Sequence, residues 1–134
     1  MTESLTPGLS HQIRQIVQQQ HTADAFGNPG VEVFATPALI TLLENVCGEC
    51  IKPFLREDGF SVGTRVEIRH LSATPLGMEV VAKCEVIEVD RRRVVFHVEA
   101  HDGVEKISDG THERFIMENL EVFIQSTREK LKQG

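Results

Sequence analysis

Apolar residues recur at two different periods along this chain, and the change from one to the other divides it into two halves. From Ala35 to Phe54 the spacing is helical. Leu39, Leu42, Leu43, Val46, Cys47, Cys50 and Ile51 fall on one face, wide enough to cover a core. Thr36 is a fitting N-cap, and Pro37 stands at the first helical position, where its missing N–H costs nothing. Pro53 ends the segment near Lys52. Glu44 interrupts the apolar run and Gly48 follows one turn later. A carboxylate at this point lies either on the solvent edge of the helix or in a cavity beside a thinned stretch of it.

After Glu57-Asp58-Gly59 the period becomes two. Val62, Thr64, Val66, Ile68 and His70 share one strand face, opposite Gly63, Arg65, Glu67 and Arg69. Met78, Val80, Ala82, Cys84 and Val86 alternate in the next strand, and Val94, Phe96, Val98 and Ala100 in the one after. Asp90-Arg91-Arg92-Arg93 reads as a hairpin tip, and His101-Asp-Gly and Ser108-Asp-Gly as turns, so that the last strand begins near Thr111. Before the helix, His11–Thr22 fits either a short helix or an edge strand, and Asn28-Pro29-Gly30 breaks the chain. Residues 1–9 read as a loose leader, and 122–134 as a short C-terminal helix or tail. The order of elements describes one α+β domain over 1–134, an antiparallel sheet wrapped around a single helix. Such a sheet leaves edges open for a second copy.

Composition narrows the function classes. The chain has 134 residues, 40% hydrophobic and 25% charged, enough for one real core. No window approaches the apolar length of a membrane span, and the N-terminus lacks a basic-then-apolar signal, so the cytoplasm is the expected compartment. A net charge of −6 argues against nucleic acid or an anionic membrane as partner. Cys47 and Cys50 have the spacing of a redox or metal pair. There is, however, no second ligand pair for zinc, and the motif lies late in the helix rather than at its N-terminus. Two small core residues are expected instead, and no metal.

His70 and Glu44 carry the candidate chemistry. The strand phase from Val62 turns His70 toward the helix that bears Glu44, and a carboxylate and an imidazole on elements that must meet form an acid/base set. Thr36 adds a hydroxyl at a helix N-terminus, where backbone N–H groups can polarise a carbonyl oxygen.

Val33-Phe-Ala-Thr-Pro37, Leu43-Glu44, Val62-Gly-Thr64, His70-Leu-Ser-Ala-Thr-Pro-Leu-Gly77, Val98-Glu-Ala-His-Asp-Gly103 and Gly110-Thr-His-Glu-Arg114 occur in an order and spacing that covers the chain from about Thr22 to Glu121. Together they resemble the hotdog-fold thioesterases of the fluoroacetyl-CoA thioesterase-like family. The resemblance implies a homodimer, or a dimer of dimers, in which one long central helix is wrapped by a five-stranded antiparallel sheet, with the ambiguous N-terminal segment as first strand. It also implies an acyl-CoA thioester substrate, coenzyme A entering as part of that substrate with no further cofactor, and a catalytic set falling on Thr36, Glu44 and His70. Members specialised for the fluorinated substrate carry phenylalanines over the acyl pocket, in the loop where this chain reads Phe26-Gly-Asn-Pro-Gly30. Hydrolysis is implied without fluoroacetyl specificity.

Eight residues of helix separate Thr36 from Glu44, about 12 Å of rise and roughly 80° of rotation. They do not meet directly within one subunit, so the substrate lies between them or the site is completed across the dimer, and a site at the dimer interface is expected. Either Glu44 or Thr36 can be the nucleophile, or Glu44 can activate water, with His70 as orienting group or acid. Gly48 leaves room for an acyl group. Arg92 and Arg93 are candidates for the CoA phosphates and Arg114 a weaker one, which can pair with Glu113 instead. The competing readings are a hotdog dehydratase or hydratase acting on an acyl thioester, and a non-catalytic dimer that binds acyl-CoA.

Overall fold

A computed structural model describes residues 4–134 of the chain. Strand β1 (Ser10–Ile16) is followed by helix α1 (Thr36–Ile51), then by β2 (Phe60–His70), β3 (Glu79–Asp90), β4 (Arg93–His101), β5 (Lys106–Met117) and helix α2 (Leu120–Arg128). The five strands form one antiparallel sheet in the order β1-β3-β4-β5-β2. The ambiguous segment is therefore an edge strand, continued by a 3-10 turn at Gln19–His21. The strand β2, which precedes β3 in the chain, crosses to the far edge and pairs with β5. The connection 71–78 is accordingly a crossover and not a hairpin.

The core lies between α1 and one face of the sheet. All seven residues of the expected apolar face of α1 are buried, joined by Ala38. Opposite them stand Val80, Ala82, Cys84 and Val86 of β3 and Val94, Phe96, Val98 and Ala100 of β4, each at 4% exposure or less. Cys47, Cys50 and Cys84 are free and buried within this layer. Hydrogen bonding between neighbouring thiols, reinforced by burial, pushes Cys50 and Cys84 above the usual thiol range, so they stay protonated and pack as small hydrophobes.

The structure corrects three local expectations. From Leu5 onward the leader is not loose (residues 1–3 lie outside the described part). Leu5 is buried, Gly8 N–H donates to Val86 at 2.8 Å, and Val86 N–H donates to Leu9 at 2.8 Å. Ser108-Asp-Gly is no turn but part of β5. Gly110 is there because β2 passes so close that a Cβ would lie 2.1 Å from the Glu67 carbonyl oxygen and 2.7 Å from Ile68 Cα. Finally, a bulge between Gly63 and Arg65 shifts the alternation of β2 and turns Gly63 toward α1. No helix among the described residues is long and apolar enough to cross a membrane.

Candidate active site

The start of α1 is fixed by a clamp of backbone hydrogen bonds. Phe34 N–H donates to Thr74 at 2.8 Å and Ala35 N–H to His21 at 2.8 Å, so residues 34 and 35 run extended between two loops before the helix begins. The Thr74 side chain, fully buried, donates to Asp102 Oδ2 at 2.9 Å, while Asp102 Oδ1 accepts from Val104 and Glu105 N–H at 2.8 and 2.9 Å. Burial alone would raise the Asp102 carboxyl, but these donors together hold it below its usual range, as a fixed anionic brace. On the other side Leu71 N–H donates to Ile107 at 2.7 Å and so anchors the end of β2, where His70 stands.

Within this frame Thr36 does not cap the helix. The N-cap is Ala35, and no side chain caps the end. Thr36 Oγ1 instead lies 2.8 Å from His70 Nδ1. The two groups sit in an open cleft lined also by Val33, Phe34, Leu71 and Ala73. Burial lowers the His70 pKa below 6.5, so the ring is neutral at neutral pH and its Nδ1 can accept the threonine proton.

Glu44 belongs to a second group, two helical turns further along α1. Its carboxylate rests against Gly63, where an added Cβ would lie 2.3 Å from Glu44 Oε2 and 3.0 Å from His112 Cε1. Only glycine admits both. His112, 1% exposed, is stacked on Phe96 with ring centroids 6.1 Å apart. Its Nδ1 lies 2.9 Å from the Arg65 carbonyl, and its Nε2 lies 3.2 Å from Arg114 Nη1. A carbonyl can only accept and a guanidinium only donate, so His112 is neutral with the proton on Nδ1. Burial, helped by the adjacent Arg114 cation, lowers its pKa to match. Neither His112 nor Gly63 emerges from the sequence as a site residue. The available signals are that His112 and Arg114, two apart in a strand, share one face, and that Gly63 and His112 fall in the segments Val62-Gly-Thr64 and Gly110-Thr-His-Glu-Arg114 that carry the family resemblance.

The remaining candidates separate. Arg114 donates to Ser61 Oγ at 2.8 Å, to the Ser61 carbonyl at 3.0 Å and to the Glu44 carbonyl at 3.4 Å. It braces β2 and α1, and Glu113 is left to Arg93. Gly48 faces this guanidinium: an added Cβ would sit 3.6 Å from Arg114 Cζ, in ordinary contact. Arg93 lies in β4, not in the hairpin tip, and its guanidinium is held by Glu113 at 3.0 Å and Glu88 at 3.1 Å. Arg92, in the turn itself, is exposed and reaches Glu118 only at 3.9 Å. Phe26, 52% exposed, ends a 3-10 turn outside the cleft; that loop is tied by Gly30 N–H donating to Asp24 Oδ1 at 2.7 Å.

Comparison with known proteins places this geometry. A family model described as fluoroacetyl-CoA-specific thioesterase matches residues 17–120. The fluoroacetyl-CoA thioesterase of Streptantibioticus cattleyicolor is 40% identical over 103 residues, covering 77% of this chain and 73% of that protein. A solved structure of fluoroacetyl-CoA thioesterase superposes with a TM-score of 0.89 at 33% identity, covering 96% of this chain and 98% of the other. A thioesterase-superfamily protein of Thermus thermophilus superposes with a TM-score of 0.87 at 26% identity, covering 98% of each chain. The long helix and five-stranded antiparallel sheet are the hotdog fold.

Proposed function

The chain belongs to the fluoroacetyl-CoA-specific thioesterase family, and from that premise we propose that it hydrolyses a small acyl-CoA to the free acid and CoA, with Thr36, His70 and Glu44 as its catalytic residues. The observation that carries the reading is the 2.8 Å contact between Thr36 Oγ1 and a neutral His70 Nδ1 at the open start of α1. A hydroxyl within reach of a neutral imidazole is an activated nucleophile. Leu39 N–H is already bonded to the Ala35 carbonyl and Pro37 has no N–H, so the N–H groups of Thr36 and Ala38 are the ones assigned to the oxyanion.

In this mechanism Thr36 Oγ1 attacks the thioester carbonyl carbon as its proton passes to His70 Nδ1. The tetrahedral oxyanion forms at the helix N-terminus. Its collapse breaks the C–S bond, and the CoA thiolate leaves with the proton from His70. Water then attacks the acyl-threonine ester, Glu44 accepts a proton from it, and that proton returns to the Thr36 oxygen as the acid departs. The balance is one thioester and one water giving one acid and one thiol.

The rise of about 12 Å between Thr36 and Glu44 along one helix leads us to place the complete site at a homodimer interface. There, Glu44 of one subunit faces the Thr36–His70 pair of the other. The open, largely exposed edge strand β2 supports this assembly. Solved relatives of the same family are complexes with acetyl-CoA and with fluoroacetate and CoA, which supports a short acyl group. Of the two arginines at the β3–β4 turn, Arg92 retains a free guanidinium face for the CoA phosphates, whereas Arg93 is held by two carboxylates. Three free cysteines fit a reducing compartment such as the cytoplasm.

The test is free-thiol release from acetyl-, fluoroacetyl-, propionyl- and butyryl-CoA. Turnover of at least one, abolished by Thr36→Val, is the expected result. Binding of acyl-CoA without any thiol release would replace hydrolysis by a carrier function.

A further inference from the structure

Two side-chain polar atoms among the described residues are buried without a hydrogen-bond partner, and they belong to neighbours. They are His70 Nε2 and Ser108 Oγ. His70 and Ser108 are directly paired across β2 and β5, so their side chains rise from the same face of the sheet with Cβ atoms roughly 5 Å apart. Ser108 is fully buried, flanked on its other side by Ala100 of β4. Its methylene and hydroxyl thus stand between an apolar neighbour and the ring of His70. An orphaned imidazole nitrogen and an orphaned hydroxyl placed side by side are complementary. Each is costly alone, and each supplies what the other lacks.

The ring carries a directional constraint from its other nitrogen. For Thr36 to lose its proton to His70, Nδ1 must be bare, and the single proton of the neutral ring must sit on Nε2. That proton points away from the open cleft and needs an acceptor. Resting on the hydrolytic reading above, we propose that Ser108 is a positioning residue for His70. Its hydroxyl accepts the Nε2–H, directly after a small rotation or through one shared water, and so holds the ring in the tautomer that leaves Nδ1 free for Thr36. Ser108 does not touch the thioester and acts only through the imidazole. The close approach of β2 to Gly110, two residues along β5, keeps the two strands in the register that this pairing requires.

The experiment combines NMR of the histidine ring nitrogens with steady-state kinetics on the full chain and on Ser108→Ala and Ser108→Cys. His70→Gln identifies the His70 signals among the six histidines. At pH 8, wild-type His70 should show a protonated Nε2 and a bare Nδ1. Both variants should lose that preference, alanine because it has no acceptor and cysteine because sulfur is a weak one. With acetyl-CoA, kcat should fall about tenfold or more, the size of one hydrogen bond to a group that becomes charged, with KM and melting temperature nearly unchanged. A wild-type His70 protonated on Nδ1, or variants that keep the wild-type tautomer, would overturn the proposal. The ring signals are read without substrate. Absence of thiol release in the wild type would therefore strike the hydrolytic reading alone, and a tautomer unaffected by either substitution would strike Ser108 alone.

Discussion

The two histidines beside α1, His112 buried and His70 half-buried, stand on one face of the sheet and differ in what is left for them to do. His112 is saturated: one nitrogen is bound to the Arg65 carbonyl, the other to Arg114, and its ring is stacked on Phe96. His70 meets one hydroxyl at the cleft and has an unpartnered nitrogen behind. The accepting nitrogen of His112 is taken up by a structural arginine, whereas that of His70 faces a hydroxyl in an open cleft, where it is placed to act as a base. The same difference separates the two ends of the helix groove. Around Glu44 the protein is closely packed by Gly63, His112 and Arg114, and around Thr36 it opens into the cleft.

Apart from the Thr36 nucleophile, removing Glu44 should have the largest effect on turnover. Glu44→Gln keeps the size and most hydrogen bonding of the side chain but loses its basic oxygen. A loss of about 10²–10⁴ in kcat is expected, with a melting temperature equal to wild type or higher, since a confined carboxylate is a liability. Near-normal turnover would return Glu44 to a helix-edge role.

The two histidines should part company when each is truncated. His70→Ala should cost about 10²-fold in kcat with a modest loss of stability. His112→Ala should do the reverse first, losing about 3 kcal/mol of stability by stranding Arg114 and the Arg65 carbonyl in a cavity. Denaturant titration and kinetics on the two variants check this, and equal stability losses would erase the distinction.

Gly63→Ala should give a smaller, local effect. The new Cβ cannot coexist with Glu44 Oε2 where it stands, so the carboxylate must move, and kcat should drop on the order of tenfold while the fold persists. Unchanged kinetics would mean that the observed Glu44 position is not the working one.

Smallest is a dependence of stability on pH. The pKa values of His70 and His112 are both lowered in the fold. Below about 6.5, the unfolded chain therefore binds protons that the native state refuses. Stability should be complete above that pH and decline as pH falls below it, and His112→Asn should flatten the decline. A melting temperature that rises on acidification would contradict the assignment.

The helix and the inner sheet were legible because their periods are strong: the seven residues read as the buried face of α1 are the ones that line the core. Glu44 and His70 could be singled out because each is a polar residue where the pattern asks for an apolar one, and Thr36 because it puts a hydroxyl at the helix start. What escaped depends on pairing between distant segments. His112 acquires its role from Arg65, 47 residues away in sequence. Gly63 faces the helix only because a bulge shifts the phase of β2. Ser108-Asp-Gly has the composition of a turn, yet β2 passes so close to Gly110 that the glycine serves a strand. Thr36 looks like a cap because its hydroxyl is in the right place, but His70 captures it.

The central claim is that Thr36 and His70 of one subunit work with Glu44 of the other on a single thioester. Pairing two differently tagged variants, Thr36→Val and Glu44→Gln, tests it most directly. Each homodimer should be inactive. In the purified mixed dimer one site carries both substitutions and the other carries neither, so about half of the wild-type activity should return. A mixed dimer as inactive as its parents would contradict the account, since each subunit would then hold its whole site within itself.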